Sequence, residues 1–130
     1  MKLTDLAPEQ KRIAIAEACG WTAKQDSNGY WRAVDDKGND ATELWLSERN
    51  VWNQGIPDYL NDLNAMASAE FANEMPYSIE YVWWLGRIAC EARGMNPDKQ
   101  SDSDLNVMAV FTTAAQRADA FLLATGRATV

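Results

Sequence analysis

The chain of 130 residues contains no histidine. Its absence removes the commonest general base, the Ser–His and Cys–His nucleophile pairs, and every imidazole metal ligand. Cysteine is scarce too, with only Cys19 and Cys90. They lack zinc-ligand spacing, and each falls inside a predicted helix rather than a loop-rich disulfide scaffold, so both read as free thiols of a reducing cytosol. The seven glycines stand singly at turns and helix ends, and none builds a phosphate-cradling loop. No apolar run reaches the length of a membrane span, and no apolar core of a secretory leader follows Met1-Lys2-Leu3-Thr4-Asp5. Cations are outnumbered, 12 Lys and Arg against 19 Asp and Glu, for a net charge of −7. Such a chain is a poor direct partner for nucleic acid or an anionic membrane. The acids are spread rather than massed, which also disfavours an acidic decoy. No catalytic residue, metal or cofactor is implied.

What is present suffices for a core. Hydrophobic residues make up 47% of the chain, and its length predicts one domain over 1–130. Pro8 opens a helix that runs to Cys19 and stops at Gly20. From Trp21 the pattern turns to strands: Trp21–Gln25 and Tyr30–Val34 flank an Asn28-Gly29 turn, and Thr42–Leu46 reads as a third, weaker strand. Ser47–Gly55 reads as a polar connection. Asp58, after Pro57, caps a long helix to about Glu74, with Leu60, Leu63, Ala67 and Phe71 as its buried row. Ser78 caps the next helix, with a Tyr77–Val82 staple, and Gly94 and Pro97 end it. Met95–Asp104 reads as an exposed loop and Leu105–Phe111 as a strand. Thr113-Ala114-Ala115-Gln116 is a capping box for a last helix presenting Ala114, Ala118, Phe121, Leu122 and Thr125, with Gly126 as its stop. The fold class expected is α+β, a three-layer α/β/α sandwich with helices on both faces of a small, mainly antiparallel sheet.

Two stretches invite a functional reading. In the helix after Ser78, Tyr81, Leu85, Ile88 and Ala92 form one apolar face, while Ile79, Trp83, Gly86 and Cys90 form a second row opposite. Either the Ser47–Gly55 segment with Trp52 buries that second row, or it docks a partner protein or a second copy of the chain. Earlier in the chain, Asn64 falls within the expected buried row and must find amide partners there. With Tyr59 and Asn61 it would tip a pocket for a small ligand, and Trp31 with Arg32 would supply stacking and charge for a nucleotide-like signal.

Three segments, Ile13–Trp21, Pro57–Met66 and Thr113–Leu122, together resemble small phage and prophage proteins of the phage ABA-sandwich domain type. The resemblance implies an α/β/α sandwich and a phage or prophage gene acting in the bacterial host cytoplasm. It brings no established activity and no catalytic residues. The expectation that follows is a non-enzymatic accessory protein binding a host or phage protein, for instance a bacterial defence complex. The alternative is a binder that sequesters a nucleotide-like signal.

Overall fold

A computed structural model of the protein describes residues 1–38, 43–75 and 78–130. Helix α1 is Pro8–Ala18, with Pro8 in its first turn and Gln10 reaching back to the Ala7 backbone N–H at 2.8 Å. It closes as expected. Gly20 takes φ 84°, and the Trp21 N–H donates to the Ala16 carbonyl at 3.0 Å. A side chain at Gly20 would also collide with Asp36, so two constraints require glycine there.

Strands β1 (Thr22–Gln25) and β2 (Trp31–Val34) pair antiparallel, with Thr22 opposite Val34 and Lys24 opposite Arg32. The Asp26 carboxylate organises their turn, accepting from the Asn28 and Tyr30 backbone N–H groups at 2.8 and 3.0 Å. Of the third strand only Trp45 pairs, exchanging two 2.8 Å backbone bonds with Trp31; Thr42 lies outside the described residues. The α+β class is therefore observed, with a two-stranded sheet. Its strand order is β1-β2, and the rest of the described secondary structure is helical apart from isolated bridges.

Ser47–Gly55 is helical rather than an open connection. The Ser47 hydroxyl caps α2 (Glu48–Asn50), which continues as one π-helical turn, Val51–Gly55, burying Val51.

The next helix, α3, is Leu63–Ala72, four residues later at its start than its apolar row suggests. Asp62, not Asp58, is the cap, its carboxylate accepting from the Asn64 and Ala65 N–H groups at 2.9 and 3.3 Å. The buried row is correspondingly Met66, Ala69 and Glu70, leaving Leu63 and Phe71 exposed at 53% and 69%. Asn64 is exposed as well, which removes the need for a buried partner. The expected row fails because apolar residues stand on every side of this helix, so no periodicity marks its inner face. Asp62→Ala should therefore cost about 1 kcal/mol in urea unfolding, and Asp58→Ala less than about 0.5 kcal/mol. Equal losses would restore the earlier cap.

Helix α4 is Ile79–Ala92, capped by the Ser78 hydroxyl and closed at Gly94, as its sequence suggests. Tyr77 and Pro76 lie outside the described residues, and with them the expected staple. The largest correction follows. The expected strand at Leu105–Phe111 is a helix, α5 (Asp102–Met108), capped by Ser101, whose hydroxyl accepts from the Asp104 N–H at 3.1 Å. Carboxylates at Asp102 and Asp104 suit its positive first turn.

The last helix, α6 (Ala114–Ala124), carries both bonds of the Thr113–Gln116 capping box, 2.9 and 3.2 Å. It buries Ala118, Phe121 and Leu122 and packs on α1, α3 and α4. With Ile15, Met66 and Tyr81, these side chains make the core. Helix α6 is thus the central element. Glu70 of α3 is also drawn inward, only 6% exposed, and meets Arg117 of α6 at 3.2 Å.

Candidate functional site

Helix α4 turns Tyr81 and Leu85 into the protein, as its first apolar face predicts, with Ile88 half-buried and Ala92 exposed at its end; Ala89, outside that face, is buried as well. The second row divides. Gly86 and Cys90 are buried, whereas Ile79 is 89% exposed and Trp83 40%. Helix α5 packs along α4 and covers the row at Gly86. Gly86 is the reason α5 can come so close: a Cβ there would run into the Leu105 backbone carbonyl. Trp52 is half-buried against the main core instead, its carbonyl accepting from the Arg12 guanidinium at 3.3 Å. Reading residues 102–111 as loop and strand hid the helix that divides the row.

Where α4 and α5 diverge, a groove of about 390 Å³ opens, with Ile79, Val82, Trp83, Asp102, Leu105 and Asn106 in its walls. Trp83 is held in a defined orientation. Its ring meets Trp84 edge-on at 4.8 Å, and the Arg87 guanidinium lies over it at 4.6 Å. Arg87 is fixed in turn by Asp98 at 2.8 Å. A large aromatic ring is thereby kept half-exposed on a helical wall, an arrangement suited to burying an apolar side chain from another molecule.

The residues considered for a small ligand do not converge. Tyr59 and Asn64 line a second cleft, of about 750 Å³, beneath Trp21 and Cys19. Asn61 is turned to the Asp58 carboxylate at 3.2 Å in a separate depression beside Arg12. Arg32 belongs to a third depression, 3.8 Å from Asp26, and Trp31 is engaged through its backbone with Trp45.

Within the second cleft, the Trp21 indole N–H donates to the Tyr59 hydroxyl at 3.0 Å, and the Asn73 amide approaches the Cys19 sulfur at 3.6 Å. Burial raises the Cys19 thiol above its ordinary pKa, and burial followed by the charge of a Cys19 thiolate raises the Tyr59 phenol. Both groups therefore stay protonated at neutral pH. Neither is an activated nucleophile in that state.

Among the described residues no group of three or more Cys, Asp and Glu side chains could hold a metal ion. No helix among them is long and apolar enough to cross a membrane. Sequence reasoning set Asp102 in an exposed loop, where the structure has the first turn of α5, and passed over the Glu70–Arg117 pair. Asp102 was discoverable, because Ser101-Asp102-Ser103-Asp104 before an apolar run has the spacing of a capping box. No protein-family model, curated protein or solved structure matches the chain.

Proposed function

We propose that this chain is a non-enzymatic accessory protein that binds a host or phage protein in the groove between α4 and α5. One observation carries the reading: Ile79 and Trp83 stand exposed on the wall of an apolar groove, with the tryptophan ring fixed by Trp84 and Arg87. The protonated Cys19 and Tyr59, and the lack of histidine, support a binding rather than a catalytic role. The resemblance to phage ABA-sandwich proteins supplies the setting, a bacterial host cytoplasm, and carries the three-layer α/β/α arrangement with it. Interference with a defence complex is one instance of such binding.

The test is affinity capture with quantitative mass spectrometry, using the native chain, Ile79→Ser and the control Leu46→Ser. Losing one buried apolar anchor should lower partner recovery about tenfold or more for Ile79→Ser, while Leu46→Ser keeps it. Equal recovery by all three proteins would remove this groove from the reading. A second reading, a small ligand in the Tyr59–Asn64 cleft, rests on the cleft's size. Its wall holds Asp35, Asp36 and Asp62 against Lys37, which favours a neutral or cationic ligand over a nucleotide.

A further inference from the structure

We infer that the segment taken by the α4–α5 groove is amphipathic, with apolar anchors flanked by lysine or arginine. The inference rests on the docking reading above and adds the partner's chemistry. Ile79, Val82, Trp83 and Leu105 make the walls apolar, and among the described residues Asp102 is the one charged side chain in them. Asp102 is exposed and makes no ion pair with any described residue. The adjacent cation, Arg87, is committed to Asp98 and to the face of Trp83.

Glu80 adds a second exposed carboxylate next to Ile79. The starts of α4 and α5 oppose this with about half a positive charge each, so the two carboxylates outweigh them. A second copy of the chain would bring another net charge of −7 and its own Asp102 to the contact. Like charges meeting there disfavour self-association, and the same sign repels nucleic acid. A basic-flanked apolar segment complements both the walls and the rim.

The experiment is a tryptophan-fluorescence titration of the full chain with three amphipathic peptides of about 14 residues. Each has a leucine face, and the other face is lysine, glutamine or glutamate. At low salt the lysine peptide should bind at least about tenfold more tightly than the glutamate peptide, and added salt should narrow the gap. Asp102→Asn should weaken the lysine peptide about two- to fivefold and leave the glutamine peptide unchanged, whereas Glu9→Gln on α1 should change neither. Equal affinity for all three peptides overturns the charge preference while leaving a docking groove. Lysine-peptide binding indifferent to Asp102→Asn overturns it as well, because attraction to net charge alone would then explain the data. If no peptide binds, the inference falls, and the capture experiment with Ile79→Ser decides separately whether docking stands.

Discussion

Arg117→Met should destabilise the protein by about 2–4 kcal/mol, read as a fall in the urea or thermal midpoint. The Glu70 carboxylate is 6% exposed, and both its oxygens lie 3.2–3.3 Å from one Arg117 nitrogen. Removing one partner of a buried pair leaves an uncompensated charge, which costs about 3–5 kcal/mol when both groups are fully buried. The Arg117 side chain keeps 26% of its exposure, and solvent access lowers the figure.

The surroundings offer little substitute. Tyr81 is buried beside the pair, and its phenol is pushed above its ordinary pKa by burial first and by the Glu70 charge second, so it remains a neutral neighbour. Glu70→Leu with Arg117→Met should recover most of the loss, because apolar residues replace such pairs at little cost. A double variant as unstable as the sum of two single losses would show that the charges are not coupled.

Gly86→Val should cost about 2–3 kcal/mol and pull α4 and α5 apart. A Cβ at this position meets the Leu105 backbone carbonyl first, and backbone cannot rotate away as a flexible side chain can. Overpacking of this kind costs about 1–3 kcal/mol. Replacing glycine within a helix returns a few tenths of a kcal/mol, too little to offset it, and the branch of valine adds a second collision. Opening the contact would also expose Cys90, now fully buried, so its reaction with a thiol reagent should quicken in step with the loss. A variant as stable as the native chain, with Cys90 still protected, would contradict the close approach.

The elements legible in the sequence were those with a local chemical cause. Pro8 and Gly20 bound α1, Asp26 to Gly29 make the hairpin turn, Ser78 and Gly94 bound α4, and Thr113 with Gln116 caps α6. Each is decided by one side chain or one backbone angle within a few residues.

Helix α3 was not legible in phase because its inner and outer faces are both apolar. The exposed Leu63 and Phe71 resemble core residues better than the buried Glu70 does. Only α6, distant in sequence, decides which side turns inward by offering Arg117. Glu70 does leave one trace: it is the sole charged residue of Leu63–Ala72. The candidate groove was half legible for a related reason. Periodicity finds the Ile79–Cys90 row, but whether a row is covered depends on another helix, and α5 was concealed by its acidic, serine-rich start.

The central claim is that the Ile79 end of α4 faces a protein partner. A photo-crosslinking residue at Ile79, with the same residue at Leu46 as control, tests it in the cells where the chain is expressed. Both positions are more than four-fifths exposed, so neither replacement should disturb the core. Light should join the Ile79 probe to a discrete protein and leave the Leu46 probe without that adduct. No adduct at Ile79, or the same adduct from both positions, would contradict the claim.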